Sequence, residues 1–226
     1  GSDGGWLYMS VEEMVAAFEE YLNQGMMGVK MKLGHDDPKI DIDRVAGVRK
    51  ALGDDVWVAT DANQKWDYPT AMMVGRELEQ LNVAWFEEPL WCDDIPGHAR
   101  LADALDIPIA MGETLGSRYE FNAYIRADAA DILQPDICRV GGITEMVKIV
   151  HMGQVAGRPI QPHHMMESTI QVACGVMSSG AIEYMPWVSG AFSEPVKIED
   201  GQMYPPQQPG LGLEIPKDII QKYRVE

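Results

Sequence analysis

Two lysines lie two positions apart in a short apolar run. Lys30 and Lys32 belong to the stretch GVKMKLG at residues 28–34. Successive side chains in a β-strand alternate between faces, so these two ammonium groups point the same way. Two buried charges cost free energy unless acidic groups or a substrate lie opposite them. The pattern predicts a charged site, in which repulsion between the lysines lowers the pKa of one and makes it a usable base.

Three carboxylates end the next three apolar runs. They are Asp61, Glu87 and Glu113. Three carboxylates gathered in a low-dielectric site cannot all stay ionised without a cation. An all-oxygen ligand set favours a hard divalent ion, Mg²⁺ first and Mn²⁺ second, over zinc. The alternative interpretation is that each carboxylate caps the following helix or pairs with a lysine on the surface.

An aspartate and a histidine end the two runs that follow. Asp136 and His163 would lie on neighbouring strands, close enough for the carboxylate to fix the imidazole tautomer and raise its basicity. His164 competes for this role, because strand alternation turns only one of the two histidines inward; spacing favours His163. Glu183 ends the last run. These residue types predict acid–base chemistry beside a metal ion.

Strand-like and helical segments alternate along the chain and would carry these residues. Apolar, strand-like runs cover residues 28–33, 56–61, 83–87, 107–113, 130–136, 158–163 and 181–185. Helical patterns cover residues 10–23, 38–52, 69–81, 94–105, 117–127, 143–156 and 167–178. This alternation predicts an α/β fold with a parallel sheet covered by helices.

Two architectures fit that alternation, and the spacing of the polar residues favours one. A doubly wound dinucleotide binder should show GxGxxG after its first strand, and the chain has none. A TIM-type (β/α) barrel fits if its first strand lies at or before residue 1. From Asp61 to Glu183 the polar strand ends recur every 20 to 27 residues, about one βα unit. They would therefore meet at the C-terminal rim of the barrel, where active sites are built.

Composition excludes several classes of protein. The 226 residues carry a formal net charge of −17 and no cluster of basic residues, which disfavours nucleic acid and anionic membranes as partners. No stretch approaches the roughly 20 apolar residues of a membrane span. Three widely spaced cysteines cannot all pair within the chain, which favours a reducing compartment. We expect a cytoplasmic protein.

An ordered set of short motifs resembles the enolase superfamily, mandelate racemase subgroup. The motifs are KMK at 30–32, DAN at 61–63, WFEEP at 85–89, MGET at 111–114, QPDICRVGG at 134–142, PHH at 162–164 and IEY at 182–184. The resemblance implies a modified (β/α)7β barrel. It also implies that residues 1–226 are a single catalytic barrel domain with a C-terminal tail from about residue 190 to 226. We expect the family's N-terminal α+β capping domain to be absent from this chain.

The resemblance implies a role for each candidate residue. The residues implied to bind Mg²⁺ are Asp61, Glu87 and Glu113. Lys32 would be one acid/base and the His163–Asp136 dyad the other, on opposite faces of the substrate. Lys30 would lower the pKa of Lys32 and help to hold the substrate carboxylate.

Three further positions match the family pattern. Glu183 would hydrogen-bond the substrate carboxylate as its charge grows, and Asn63 would contribute a polar group near the metal and substrate. Glu88, which follows a predicted metal ligand, would point to the other face.

The reaction implied by the resemblance is abstraction of the proton alpha to a carboxylate through an enediolate intermediate. Dehydration of an acid sugar, an aldonate or aldarate, to a 2-keto-3-deoxy acid ranks first, and racemisation or epimerisation of a 2-hydroxy acid or related carboxylate second. A barrel that binds a metal or metabolite without turnover is a more remote alternative. A Ser-His-Asp hydrolase is disfavoured because GxSxG does not occur. The expected partners are a small anionic carboxylate and, as in the family, further copies of the chain in a homo-oligomer.

Overall fold

Short strands alternate with helices in the computed structural model, which describes residues 4–178 and 180–225. The strands are β1 (Gly28–Lys32), β2 (Trp57–Asp61), β3 (Phe86–Glu87), β4 (Ile109–Met111), β5 (Ile132–Leu133), β6 (Lys197–Glu199) and β7 (Gln202–Tyr204). The helices are α1 (Val11–Asn23), α2 (Pro38–Leu52), α3 (Tyr68–Gln80), α4 (Ile95–Ala104), α5 (Arg118–Arg126), α6 (Ile143–Val155), α7 (Met166–Val176) and α8 (Lys217–Lys222). The first five strands form a parallel sheet in sequence order, as in an α/β barrel.

The seven predicted helices are all present, as α1 to α7. Helix α1 begins with the capping box that the sequence indicates, in which Ser10 and Glu13 each accept a hydrogen bond from the other's backbone N–H. Helices α2 and α3 begin after Asp37 and Asp67, whose side chains accept a backbone N–H in the first turn. Within the two described ranges, no helix has the length and apolar character needed to cross a bilayer.

The last two predicted strands differ from expectation. Residues 158–163 contribute only isolated parallel bridges, Leu133 to Ile160 and Asp136 to His163. Residues 181–185 form no regular strand. The backbone N–H of Ala181 donates instead to the side-chain Oε1 of Gln161, at 2.7 Å, so this segment is anchored by a side chain where a ladder was predicted.

The C-terminal tail contains a hairpin that the hydrophobic pattern did not predict. Strands β6 and β7 pair antiparallel across Asp200 and Gly201, which both have positive φ, at 48° and 71°. Asp-Gly is a strong hairpin signal for this reason. The backbone N–H of Gly201 donates to Gln24 O, and a Cβ at position 201 would lie 1.9 Å from Gly25 O. The hairpin therefore packs against the end of α1.

Alternation along β1 separates the apolar core from the charged interior. Val29 and Met31 are buried in the hydrophobic layer between the sheet and its helices. Lys30 and Lys32 therefore point to the opposite side of the sheet. The N–H of Lys32 donates to Gly5 O at 2.7 Å, so the chain near residue 5 lies beside β1. The predicted first strand, at or before residue 1, lies outside the described residues.

His98 on α4 is a buried structural histidine, and we expect it to make stability depend on pH. Its Nδ1 lies 2.9 Å from Asp94 O, and burial lowers its pKa. The unfolded chain takes up a proton near pH 6.5 while the folded protein does not. Lowering the pH from 7.5 to 5.5 should therefore reduce the free energy of unfolding, with up to about 1 kcal/mol due to this residue.

Urea unfolding at the two pH values tests this expectation. In His98→Gln, the decrease in the free energy of unfolding between pH 7.5 and 5.5 should be smaller by up to about 1 kcal/mol. His151→Gln, on the exposed face of α6, is the matched control and should keep the wild-type pH dependence. An unchanged pH dependence in His98→Gln would contradict the assignment.

Candidate active site

The register of the parallel strands places the charged side chains on one face. In the ladder Lys32 pairs with Asp61, and Asp61 pairs with Glu87. Residues paired in a ladder point to the same side of the sheet. Met31, between the two lysines, packs on the other side, in the hydrophobic layer between the sheet and its helices. The three charged side chains therefore face the interior of the barrel, at the C-terminal ends of their strands.

Three of the predicted carboxylates form a candidate metal centre. Asp61, Glu87 and Glu113 offer oxygens that all lie within 4.8 Å of one another. The first two residues are fully buried, and Oε2 of Glu113 is a buried atom that accepts no hydrogen bond from the described residues. Asn63 supports the group, since its N–H donates to Asp61 Oδ1 at 2.9 Å and its Nδ2 donates to Glu113 Oε1 at 3.2 Å. This buried, all-oxygen, anionic set fits a hard divalent cation such as Mg²⁺.

The carboxylates are costly to ionise where they lie. Burial, followed by the charge of Asp61, raises the pKa of Glu87 to about 7, although Lys30 acts in the opposite direction. Burial and Asp61 also raise the pKa of Glu113. A cation between these groups would remove the repulsion, which is a further reason why the residues fit a metal.

Both lysines contact the carboxylates. Lys30 Nζ lies 2.8 Å from Glu87 Oε1 and 2.8 Å from Glu183 Oε1, and Lys32 Nζ forms an ion pair with Asp61 Oδ2. Burial and Lys30 act to lower the pKa of Lys32, but the carboxylates around it, Asp61 foremost, outweigh them and raise it. The net direction is opposite to the sequence-based expectation, because three carboxylates act against a single neighbouring ammonium group.

The histidine and aspartate form the predicted pair. His163 Nδ1 lies 2.7 Å from Asp136 Oδ2, while Asp136 Oδ1 accepts two backbone N–H groups at 2.7 and 3.1 Å. The Nε2 atom of His163 faces the site, 3.3 Å from Glu113 Oε2 and 3.8 Å from Glu183 Oε2. Burial disfavours the charged imidazole, but the hydrogen bond to Asp136 and the nearby carboxylates raise the pKa of His163. The pair thus presents one ring nitrogen to the centre of the site.

His164, the next residue in the chain, lies in a different environment from His163. His164 has a positive φ of 46°, and its ring lies against Trp187 with centroids 5.3 Å apart. Its backbone N–H donates to Glu183 Oε2 at 2.9 Å. Although burial opposes it, the charge of Lys30 and then that of His163 hold the pKa of Glu183 well below its usual range. His163 is therefore the histidine paired with the aspartate, and His164 helps to fix Glu183 through its backbone.

Glu88 is buried outside the carboxylate triad. Its Oε1 accepts a hydrogen bond from the Thr114 hydroxyl at 2.8 Å, and its Oε2 accepts one from Gln64 Nε2 at 3.2 Å. Its φ is 41°, so the chain turns immediately after β3. The turn separates Glu88 from Glu87, in agreement with the prediction that the two point differently.

Two residues of the site were missed by sequence reasoning. Trp85 Nε1 and Gln134 Nε2 both donate to Glu87 Oε2, at 3.0 and 2.7 Å. A signal for both was present, because Trp85 precedes Glu87 and Gln134 precedes Asp136 by two positions, which places each on the same strand face as a candidate residue.

The structure is thus an α/β barrel with an acidic candidate metal centre at the C-terminal rim of its strands. Residues 13–219 match the family described as Enolase C-terminal domain-like. The chain belongs to this family, within the enolase superfamily, and mandelate racemase/muconate lactonizing enzymes are among its structural neighbours.

Several relatives of known activity are similar to the chain. It is 39% identical to L-talarate/galactarate dehydratase of Salmonella typhimurium, with 94% of this chain and 53% of that protein covered. It is 35% identical to arabinonate dehydratase of Saccharolobus solfataricus, with 90% and 57% covered. L-talarate dehydratase of Polaromonas sp. JS666, solved with Mg and L-glucarate, superposes with a TM-score of 0.92 at 40% identity, covering 97% of this chain and 62% of that one. The chain spans about half the length of the curated relatives it matches.

Proposed function

We propose that this protein removes the proton alpha to the carboxylate of an acid sugar and expels the beta hydroxyl as water, giving a 2-keto-3-deoxy acid. The observation that carries the proposal is the arrangement of two proton-transfer groups around one carboxylate triad. Lys32 lies against Asp61 on one side, and His163 lies against Glu113 on the other. The acid-sugar dehydratases reported among the relatives support the substrate class.

The first half of the reaction is substrate binding and removal of the alpha proton. Lys30 would bind the substrate carboxylate. Glu183, whose Oε1 lies 2.8 Å from Lys30 Nζ, would donate a hydrogen bond to that carboxylate only after taking up a proton, because its ionised form repels an anion. Mg²⁺, or Mn²⁺ in second place, held by the three carboxylates would supply positive charge that stabilises the anion and offsets the groups that raise the pKa of Lys32. Neutral Lys32 would then take the alpha proton, and the electron pair of the C–H bond would move toward the carboxylate.

The second half of the reaction uses the histidine. Protonated His163 would give its Nε2 proton to the beta hydroxyl as the C–O bond breaks, so that water leaves and an enol forms. Asp136 stabilises the imidazolium from the other nitrogen at 2.7 Å. The enol then becomes the 2-keto-3-deoxy acid by taking up a proton at C3 and losing the proton of its C2 hydroxyl.

Racemisation or epimerisation is the second candidate reaction. It would use the same two proton-transfer groups, Lys32 and His163. A substrate without a beta leaving group would be deprotonated by one of Lys32 and His163 and reprotonated by the other on the opposite face. N-succinyl-L-Arg/Lys racemase of Bacillus cereus, 30% identical with 95% of this chain and 60% of that protein covered, belongs to this second class.

A deuterium experiment separates the two candidates. This chain alone, and a longer form that carries a capping domain of the family, would be incubated with Mg²⁺ in D₂O with aldonic and aldaric acids, including galactarate, L-talarate, L-glucarate and arabinonate. Proton NMR should show loss of an alpha signal and a new 3-deoxy methylene signal. Deuterium at the alpha carbon without loss of water would favour the racemase. An unchanged spectrum for every acid, with Mg²⁺ bound, would contradict the proposal.

Three expectations from the sequence stay predictions. They are the homo-oligomeric state, the cytoplasmic location, and the organisation of residues 1–226 as a single barrel domain with a C-terminal tail from about residue 190. Sedimentation of this chain, and of a longer form that carries a capping domain of the family, would measure the first.

A further inference from the structure

The carboxylate of Glu87 is held by more donors than the other two members of the triad. Its Oε1 accepts from Lys30 at 2.8 Å, and its Oε2 accepts from Trp85 at 3.0 Å and from Gln134 at 2.7 Å. Two of these three donors are uncharged N–H groups. Gln134 is buried, with 3% of its surface exposed, and Glu87 has none exposed.

Positions in the sheet explain how Trp85 and Gln134 both reach Oε2 of Glu87. Trp85 and Glu87 are two positions apart and lie on the same face of their strand. Gln134 follows β5, two strands away in the sheet. The strand between them places Ala110 in register with Glu87, and its methyl group leaves room for the longer glutamine side chain.

The orientation of the Gln134 amide depends on this contact. Its Nε2 donates to Glu87, while its Oε1 is buried without a hydrogen-bond partner among the described residues. A rotated amide would place its oxygen against the carboxylate oxygen, which is unfavourable. Together the amide and the indole N–H fix the rotation of the Glu87 carboxylate, because a carboxylate held at two directions on one oxygen loses its torsional freedom.

We propose that Trp85 and Gln134 are positioning residues that set the affinity of the triad for a divalent cation. They hold Glu87 from the side of the barrel interior, so that the carboxylate is oriented toward Asp61 and Glu113 before a cation arrives. The inference rests on the proposed function only in its use of a divalent cation, and it is independent of the substrate and of the dehydration step.

Mn²⁺ binding measured by electron paramagnetic resonance on this chain tests the proposal. Trp85→Phe keeps the ring and removes the N–H, and Gln134→Leu keeps most of the volume and removes the amide. Each variant should bind Mn²⁺ about ten-fold more weakly, and the double variant up to about 100-fold more weakly.

Matched controls come from other tryptophan and glutamine positions of the chain. Trp66→Phe removes a buried N–H that has no hydrogen-bond partner among the described residues, and Trp66 packs on Phe86. Gln171→Leu removes a half-buried amide on α7 whose Nε2 donates to Pro206 O and Leu211 O. Both controls should bind Mn²⁺ within about two-fold of the unaltered chain, because neither contacts a carboxylate of the triad.

Thermal unfolding with and without Mn²⁺ separates positioning from damage to the fold. A positioning role lowers the Mn²⁺-dependent rise in the unfolding midpoint and leaves the midpoint without metal unchanged, whereas a merely structural role lowers both midpoints together. Mn²⁺ affinity within two-fold of wild type in Trp85→Phe and in the double variant would overturn the proposal, and Trp85→Phe alone decides it if Gln134→Leu does not fold. Failure of the unaltered chain to bind Mn²⁺ would instead overturn the metal requirement of the proposed function.

Discussion

Replacement of His163 by Asn is expected to lower the rate of acid-sugar dehydration by about 10² to 10⁴-fold. Asparagine can hydrogen-bond to Asp136 but cannot give a proton to a leaving hydroxyl. Removal of the alpha proton by Lys32 should continue, because that lysine lies on the other side of the triad. The variant should therefore still exchange the alpha proton for deuterium in D₂O while it forms little 2-keto-3-deoxy product, as followed by proton NMR.

His164→Asn is the matched control for this prediction. The two histidines are neighbours in sequence, but His164 has a positive φ of 46°, a conformation that asparagine adopts readily. Its contact with Glu183 is made by the backbone N–H and survives the substitution. The control should keep most of the dehydration rate. Full activity in His163→Asn, or an equal loss in both variants, would contradict the assignment of His163 as the general acid.

Replacement of Glu113 by Gln is expected to weaken Mg²⁺ binding by more than about 100-fold, beyond the loss typical of residues that only support a ligand. The change removes one of three negative charges and presents an amide to the cation. The size of the side chain is preserved, and the contacts that have to adjust among the described residues are the hydrogen bond from Asn63 at 3.2 Å and the approach of His163 Nε2 at 3.3 Å. Isothermal titration calorimetry of the chain with Mg²⁺ measures the effect.

Glu77→Gln serves as the control for charge alone. Glu77 lies on the exposed face of α3, away from the triad, and its substitution lowers the net negative charge by the same amount. Mg²⁺ affinity should be unchanged in this variant. Unchanged affinity in Glu113→Gln as well would remove Glu113 from the ligand set.

The identity of the candidate residues was readable from the sequence because strand alternation and βα spacing are local properties. Lys30 and Lys32 share a face in any strand, and strand ends about one βα unit apart meet at one rim of a barrel. The structure brings Asp61, Glu87 and Glu113 together as that spacing predicts.

Regular strands were predicted less well where pairing depends on distant groups. Residues 181–185 have the apolar pattern of a strand, yet the N–H of Ala181 is taken by the side chain of Gln161. The β6–β7 hairpin depends on a local Asp-Gly turn, but its place against α1 depends on close backbone approach at Gly201 and Gly25. No local pattern encodes that contact.

Periodicity along the chain was enough to predict the α/β barrel and the charged residues at its rim in their order, because both depend on local alternation and spacing. The electrostatic balance among those residues, and the contacts that hold them in place, depend on tertiary packing. The pKa of Lys32 is raised because several strands bring their carboxylates around it, whereas the sequence showed only the adjacent ammonium of Lys30. Likewise, Gln134 reaches Glu87 across an intervening strand. Distances across a barrel depend on how all of its strands pack, which no single segment specifies.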